Sequence, residues 1–268
     1  MDRSLVVLVD WGRGQDITFD GYIRDFAVGN SSLYALTDDY LYKNDKYIYL
    51  FRNHRNGSVS VQLIWLEVKT NKKNTFGSLQ GAKLQCCADQ DRPLLLSSSL
   101  IPGGPPVRWA GVFTRNDTSD PVNTVLAIYD ISPGKGPDPI FCSNQLCKPK
   151  SESEIIRLLP VSVVFQYKSM TSVLALRQGS WVVFFIGTGD GQLIKLAVDK
   201  NYNSSCPRVL FRSDNDVQVF PRMHLDPVDP RRIYMVLGNQ MKRVPVATCG
   251  LYVSSKDCWS SEDPFWHC

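Results

Sequence analysis

The chain has 268 residues, 43% of them hydrophobic, and a formal net charge of +4. That length and composition suit one large all-β domain or two small domains with real cores. The charge is mild and no basic stripe interleaves with aromatic residues, which excludes the electrostatic footprint of a nucleic-acid-binding protein.

The N-terminal residues lack the pattern of a secretory signal. Their apolar core covers only residues 5–9 and is bracketed by Asp2 and Asp10, which makes it too short and too acidic for export. No apolar segment reaches the length that spans a bilayer. Because the cysteines and glycosylation motifs favour an extracellular protein, we expect the chain to be a piece of a longer one.

The first half consists of short β-type runs separated by polar turns. The turns recur about every ten residues, which is typical of sandwiches, barrels and propellers. Two loops rich in proline and glycine, 101–106 and 132–137, are predicted to be linkers or surface excursions. The runs are 23–28, 33–36, 47–51, 59–68, 84–86, 94–96, 107–113 and 122–131.

One short helix is predicted after these runs. Ser151 and Glu154 form a capping-box pattern ahead of two apolar pairs at 155–156 and 158–159, and Pro160 would end the helix. Glu152 and Glu154 then lie at a helix start, where acidic side chains complement the helix dipole and need no catalytic role.

A β-hairpin is predicted for residues 181–198. An apolar run at 181–186 meets a glycine-rich turn at 187–191, and Ile194 and Val198 then share one face of a second strand. Because the first run is apolar on both faces, we expect an inner strand packed between other sheets. The glycine spacing does not match GxGxxG and no helix follows, which disfavours a phosphate-binding loop.

Four runs in this region predict one antiparallel sheet, and the next group of strands starts at Phe220. Repeated four-stranded units indicate a β-propeller, since each blade buries its faces against its neighbours. No WD or kelch signature marks the repeats. The four runs are 172–176, 181–187, 192–198 and 208–211, and the later ones are 232–237 and 240–246.

The cysteines and the glycosylation motifs both indicate an oxidising compartment. None of the eight cysteines forms CxxC or a zinc-type spacing with histidine, so disulfides are favoured over a metal site. The alternative is a cytosolic protein with buried free thiols. The four N-x-S/T motifs lie in polar connectors where a glycan fits. The disulfide candidates are Cys86, Cys87, Cys142, Cys147, Cys249 and Cys268, and the glycosylation candidates are Asn30, Asn56, Asn116 and Asn203.

Three motifs in the final third carry a family resemblance. They are VFFIGTGDGQLIK at 183–195, RIYMVL at 232–237 and QMKRVPVATC at 240–249. These motifs resemble the VFIGTxxGxLxK hairpin and the RxIYLLxxxQVxxLPVxxC segment of plexins and semaphorins. That segment closes the family's sema domain and opens its cysteine-rich PSI module. The chain is identified on these residues as a member of the plexin family, and the C-type plexins are favoured.

The resemblance is partial at the C-terminus. Ser255 stands where the family has its second PSI cysteine, and residues 265–268 replace the family's HCGWC. One or more PSI bridges therefore cannot form here. The resemblance implies that Cys249 pairs with Cys268 at the start of the module.

The resemblance implies an all-β fold, a partial β-propeller made of about the last four blades of a seven-bladed sema propeller. Residues 1–248 would be the C-terminal part of the sema domain, and residues 249–268 would be the beginning of the PSI module. If the chain is oxidised, a bridge from Cys86 or Cys87 to Cys142 or Cys147 would close a long loop, which is worth about 4 kcal/mol in the chain-entropy model.

Recognition is expected rather than catalysis. No GxSxG motif is present, and Asp226 and Asp229 each precede a proline in a predicted turn before residues 231–232. We expect no enzyme, no cofactor and no metal site.

The resemblance implies the extracellular ligand-binding part of a plexin-like cell-surface receptor at the plasma membrane. Such a receptor recognises a semaphorin protein ligand, edge against edge, and takes part in guidance, adhesion and migration. Receptor self-association stays open, and membrane contact would come only through segments absent from this chain. The alternatives are a semaphorin-like ligand or a secreted, truncated decoy, and a cytosolic propeller scaffold. Loops around Trp11, 52–55 and 69–73 are candidate contact regions.

Overall fold

The computed structural model describes residues 5–9, 25–28, 32–36, 40–43, 46–56, 58–69, 78, 80–87, 94–114, 122–133 and 156–246. Every regular element in these ranges is a β-strand, which confirms the all-β prediction. The chain divides into two compact units, residues 1–85 with 133–159 and residues 86–132 with 160–268. Each unit has its own sheets.

The first unit contains two sheets. Its strands are β1 (Leu5–Val9), β2 (Asp25–Val28), β3 (Ser32–Leu36), β4 (Tyr40–Lys43), β5 (Tyr47–Asn56), β6 (Ser58–Glu67), β7 (Gln80–Leu84) and β11 (Arg157–Leu158). They form a three-stranded sheet in the order β1-β3-β2 and a five-stranded sheet in the order β11-β7-β6-β5-β4. Ile48, Phe51 and Leu63 of the long paired strands β5 and β6 are fully buried, so this pair supplies the core of the larger sheet.

The helix predicted ahead of Pro160 is wrong for the residues that the structure describes there. Arg157 and Leu158 form β11, which runs parallel to β7. The amides of Lys83 and Gln85 donate to the carbonyls of Ile156 and Leu158 at 2.8 and 3.0 Å. The open edge of β7 offers unpaired backbone groups, and pairing with them overrides a local helix signal. Residues 151–155 lie outside the described ranges.

The second unit contains three antiparallel sheets. Its strands are β8 (Leu94–Ile101), β9 (Arg108–Thr114), β10 (Thr124–Asp130), β12 (Ser162–Tyr167), β13 (Met170–Gln178), β14 (Trp181–Thr188), β15 (Gln192–Val198), β16 (Arg208–Arg212), β17 (Val219–Leu225), β18 (Arg232–Leu237) and β19 (Gln240–Pro245). The strand orders are β8-β9-β10-β12, β13-β14-β15-β16 and β17-β18-β19. The middle sheet is the one predicted from four consecutive runs, and that prediction is confirmed.

Strand β14 is buried on both faces, as its continuous apolar run predicts. Phe184 and Ile186 belong to a core shared with β9 and β10. Val183 and Phe185 belong to a second core shared with β18. None of these four side chains is exposed. The middle sheet is therefore packed between its two neighbours, as a propeller blade is.

The first strands of the three sheets lie side by side and are joined by hydroxyl groups. The Ser97 hydroxyl on β8 accepts a hydrogen bond from the Val173 amide on β13 at 3.1 Å and donates to the Pro221 carbonyl on β17 at 2.8 Å. The Thr171 hydroxyl on β13 donates to the Val219 carbonyl on β17 at 2.7 Å. One buried serine thus contacts the backbone of both other sheets.

Successive antiparallel sheets that pack face to face and place their first strands together are part of a β-propeller. The predicted fold class is therefore confirmed. The described strands form five sheets, whereas about four blades were expected. The additional sheet starts with β1, an apolar segment for which the sequence pattern predicted no strand.

Candidate recognition site

The glycine-rich turn after β14 is held by its own side chains. The Thr188 hydroxyl donates to the Asp190 carboxylate and accepts from the Gln192 amide at 2.9 Å. Burial works to raise the pKa of Asp190, but hydrogen bonds from Thr188 and Gln192 and the charge of Arg212 outweigh it and lower that pKa. Gly191 has a φ of +77°, which glycine adopts without strain. The turn is the predicted hairpin turn, and the carboxylate at its centre disfavours a phosphate.

A second polar cluster closes the corner between β17 and β18. Asp226 is buried and accepts hydrogen bonds from the amides of Val228 and Asp229 at 2.9 and 3.1 Å. Its other oxygen accepts from the Arg243 guanidinium of β19 at 2.6 and 2.7 Å. The two amide hydrogen bonds, together with Arg243, lower the pKa of Asp226 to about 2. The amide of Arg232 donates to the Asp229 carbonyl at 3.0 Å, which confirms the predicted turn.

A cavity of about 370 Å³ lies between the proline- and glycine-rich loop after β8 and the residues that follow β15. Its floor is apolar, because Ile101, Ile128 and Val198 are buried members of the core that the middle sheet shares with β9 and β10. Its rim is polar and exposed. The cavity therefore combines an apolar base with an accessible opening, and both lie within the second unit.

Three basic side chains line this cavity. Arg177 donates from Nε to the Pro102 carbonyl at 2.6 Å, which fixes its guanidinium. Arg108 pairs with Asp130 at 3.6 Å and is only partly exposed. Lys200 is exposed, and its charge helps to lower the pKa of the neighbouring Asp199 carboxylate. The cavity thus presents one cation held by a carbonyl, one in an ion pair and one beside a carboxylate.

Asp199, the single acidic residue that lines the cavity, is hydrogen-bonded within its own turn. The Asp199 carboxylate accepts hydrogen bonds from the Asn203 amide and the Asn201 amide, each at 2.8 Å, and from the Asn203 side chain at 3.1 Å. The Asn203 amide is the main cause of a lowered pKa at Asp199. The Arg108 guanidinium lies 6.0 Å from the ring centre of Tyr202, and both residues line the cavity. The balance of charge in the lining is positive.

No sequence pattern singled out these basic residues. Arg108, Arg177 and Lys200 lie on or beside three different strands, and only the packing of two sheets brings them to one cavity. The single local signal was the loop 101–106, predicted to be a surface excursion. Residues 102–106 of that loop are exposed, which agrees with the prediction.

The structure describes three of the eight cysteines. Cys86 and Cys87 form a disulfide with each other, and Cys206 is an exposed free thiol. This arrangement differs from the expected bridge between Cys86 or Cys87 and a distant partner. The distant partners and the second expected pair, Cys142, Cys147, Cys249 and Cys268, lie outside the described residues. The long-range pairs therefore stay predictions.

The glycosylation candidates are described only in part. Asn203 is exposed and follows β15 in a polar loop, where its side chain donates to Asp199. Asn56 is the last residue of β5 and not part of a connector, because the pairing of β5 with β6 continues to the turn. Asn30 and Asn116 lie outside the described residues.

The expected contact loops are also described only in part. Residues 52–55 are wrongly predicted as a loop, because β5 runs through them and pairs with β6. Lys69 is exposed and forms an ion pair with Glu67 at 3.2 Å. Trp11 and residues 70–73 lie outside the described part of the chain.

Neither a membrane-crossing helix nor a metal cluster is found in the ranges that the structure covers. No helix there has the length and apolar character to cross a bilayer. No three histidine, cysteine, aspartate or glutamate residues there come together as metal ligands would. The Asp190 cluster is instead satisfied within its own turn, and the Asp226 cluster by its turn and by Arg243 of β19.

No protein-family profile matches the chain. The chain is 28% identical to mouse Plexin-C1 over 282 aligned residues, which cover the whole chain and 17% of that protein. It is 32% identical to human Plexin-C1 over 187 residues, which cover 66% of the chain and 12% of that protein. The chain is a relative of the plexins. Mouse Plexin-A4 matches this plexin relative at 31% identity, but over only 49% of the chain. The two Plexin-C1 proteins match a larger share of the chain, so the C-type preference is confirmed.

Solved structures agree with the propeller fold of this plexin relative. The full extracellular region of Plexin A4 superposes with a TM-score of 0.59 at 19% identity, over 84% of this chain and 31% of that one. Drosophila Semaphorin 2a superposes with a TM-score of 0.54 at 12% identity, over 78% of this chain and 43% of that one. These likenesses show the fold alone. The plexin relative spans less than a fifth of the length of either Plexin-C1 protein.

Proposed function

We propose that this plexin relative is the extracellular ligand-binding part of a cell-surface receptor and that its ligand is a semaphorin. The observation that carries the proposal is the match to Plexin-C1 along the whole chain. The propeller fold that it shares with Plexin A4 and Semaphorin 2a supports it. Recognition by a propeller needs no catalytic group.

The packing of the second unit limits where a protein ligand meets it. Both faces of the middle sheet are buried in cores, so the strand edges and the loops between strands are left for contact. Loops carried by a rigid scaffold keep their conformation when a partner binds. The proposed mode is therefore edge-on docking of a semaphorin against loops that change little on binding.

The proposed domain organisation follows the motifs of the final third. Residues 1–248 are proposed as the C-terminal part of a sema domain and residues 249–268 as the beginning of a PSI module. A position on the outer side of the plasma membrane, within a longer receptor, agrees with the cysteine content and the N-x-S/T motifs. A role in guidance, adhesion or migration, and self-association of the receptor, are further parts of the same proposal.

A binding panel tests the proposal. The full chain is secreted from animal cells, shown to be monodisperse, and passed over immobilised ectodomains of semaphorins and of plexins. We expect saturable binding to at least one semaphorin, and weaker or no binding to the plexins. A matched Phe185→Asp variant places a charge in a core and serves as the unfolded control. Absence of binding to every semaphorin overturns the proposal.

The same panel decides the second candidate. The likeness to Drosophila Semaphorin 2a favours a semaphorin-like ligand as the alternative. A ligand of that kind binds plexin ectodomains and not semaphorins, so the two candidates give opposite results.

A further inference from the structure

We propose that the cavity of the second unit is a binding site for a carboxylate attached to an apolar group, held by Arg177 and Lys200. The proposal is independent of semaphorin recognition, because it uses only the shape, burial and charge of this cavity. Loss of one activity therefore says nothing about the other.

The shape of the cavity fits a small organic group. Its volume of about 370 Å³ lies at the lower end of the range of about 300–1,000 Å³ that small-molecule pockets occupy. Ile101, Ile128, Val182 and Val198 give it an apolar floor. An apolar floor with a few polar groups at its edge is the usual composition of a ligand site. A single aromatic ring or a branched aliphatic chain fits this space with its polar end outward.

The charge of the cavity favours an anion. Arg108 is already paired with Asp130, and Asp199 is hydrogen-bonded by amides of its own turn. Arg177 then remains without a carboxylate partner among the described residues. The exposed Lys200 adds a second positive charge, which acts on the neighbouring Asp199 carboxylate. Two basic groups beside an apolar floor attract a ligand that has one negative end and one apolar end.

Arg177 favours a carboxylate over other anions. Its Nε is occupied by the Pro102 carbonyl, so the plane of the guanidinium is set before a ligand arrives. The two terminal nitrogens form a parallel pair of donors, which a carboxylate accepts with both oxygens. A polysulfated chain would need a longer row of basic residues. The third cation of the cavity, Arg108, is already paired with Asp130.

A carboxylate with an apolar body has two sources. It is either a free organic acid or an acidic residue next to an apolar residue in a peptide. Both present the same group to Arg177 and Lys200 and differ only in what extends beyond the cavity.

Titration of the full chain with three probes tests the proposal. The probes are 3-phenylpropionate, its uncharged amide 3-phenylpropionamide, and the amidated dipeptide N-acetyl-phenylalanyl-glutamate. We expect saturable binding of at least one carboxylate by ligand-observed NMR and calorimetry. The neutral amide should bind at least about tenfold more weakly, since it forms no charge-assisted pair with the two cations. Preference for the free acid or for the peptide identifies the source.

Matched variants locate the site. Arg177→Gln and Lys200→Gln should each weaken carboxylate binding about tenfold. Arg212→Gln and Lys168→Gln alter exposed basic residues that do not line the cavity, and both should leave binding unchanged. Lys200→Glu reverses the charge of an exposed side chain beside Asp199, so it should abolish binding. Its melting temperature is measured alongside to show that the chain is still folded.

Three results overturn the proposal. They are equal affinity for the acid and its amide, unchanged binding in Lys200→Glu, and absence of binding by both carboxylates to a chain that unfolds cooperatively. If Arg177→Gln lowers the melting temperature, Lys200→Gln and Lys200→Glu decide the matter, because the exposed Lys200 side chain forms no hydrogen bond in the described part of the chain.

Discussion

Asp226 shows how one buried carboxylate ties a sheet together. It accepts two amide hydrogen bonds at the corner between β17 and β18, and Arg243 reaches it from β19. The sequence predicted the turn, because each aspartate precedes a proline. It did not predict the ion pair, because Arg243 comes into reach only when β19 pairs with β18.

Acid should weaken the second unit through Asp226. A pKa lowered from 3.8 to about 2 by folding contributes stability that is fully present above pH 3.8 and is lost as the pH falls through the folded value. Asp226→Asn removes this contribution. We therefore expect the difference in unfolding free energy between wild type and variant to shrink as the pH falls from about 4 to about 2.

Urea unfolding across that pH range measures the effect. Asp214→Asn, at an exposed position, is the matched control and should show no such trend. A difference between wild type and Asp226→Asn that stays constant down to pH 2 contradicts the assignment.

Ser97 shows why the sequence pattern ended strand β8 too early. The predicted strand stopped at residue 96, where three serines follow the apolar run. The structure continues β8 through Ser97 and Ser99, because their hydroxyls accept the amides of Val173 and Ala175 on β13 at 3.1 and 2.9 Å. A polar residue is accommodated in a core where a neighbouring sheet supplies its partner.

Ser97→Ala should destabilise the chain by about 1–3 kcal/mol, because it leaves the Val173 amide and the Pro221 carbonyl without their partner. Ser204→Ala, at an exposed residue, is the control and should have a much smaller effect. The free energy of unfolding from urea titration at neutral pH is the measurement. Equal values for the two variants would show that the hydroxyl does not join the sheets.

At the scale of elements, local patterns succeeded where two paired strands and the turn between them are contiguous in sequence. Strand β14 and its hairpin partner β15 were predicted because their apolar residues and the glycine turn between them are contiguous. Strand β11 was mistaken for a helix because its pairing partner β7 is far away in sequence. Strands β4 and β12 were not predicted, and β12 keeps Val161 and Val163 exposed beside or within it, so its pattern lacks a clean alternation.

Because β14 lies between two cores, shortening one of its buried side chains should lower the free energy of unfolding substantially. Phe184→Ala removes a fully buried ring from the core shared with β9 and β10, which should lower the free energy of unfolding by about 3–5 kcal/mol. Val209→Ala on β16 shortens a side chain that is 44% exposed and should change it little. Chemical denaturation of both variants provides the comparison. A loss of unfolding free energy below about 1 kcal/mol for Phe184→Ala would mean that the Phe184 ring is not packed in this core.

At the scale of the whole molecule, the motifs of the final third predicted the family and the fold class, because they are contiguous in sequence. The cavity was not predicted. Its basic residues, Arg108, Arg177 and Lys200, come from two sheets and the loop after β15. Only the order in which sheets stack places them together, and no local pattern encodes that order.

Disulfide connectivity is the property of the whole chain that most needs a direct test. The structure joins Cys86 to Cys87, whereas a bridge from either residue to Cys142 or Cys147 would close a long loop and restrict the unfolded chain. We expect peptide mapping of the secreted chain, without reduction, to recover a peptide that carries one of these long-range bridges. Recovery of the adjacent pair alone would show that prediction to be wrong, and complete alkylation of all thiols would contradict an oxidising location.

The hydroxyl of Ser97 couples the local opening of three sheets. It accepts a hydrogen bond from the Val173 amide of β13 and donates one to the Pro221 carbonyl of β17, so one oxygen atom links the sheets that contain β8, β13 and β17. That amide is free to take up deuterium only when β13 separates from β8, and the same separation loosens β17. Deuterium uptake at Val173 should therefore follow the slow, concerted opening of all three blades and not the fraying of any one.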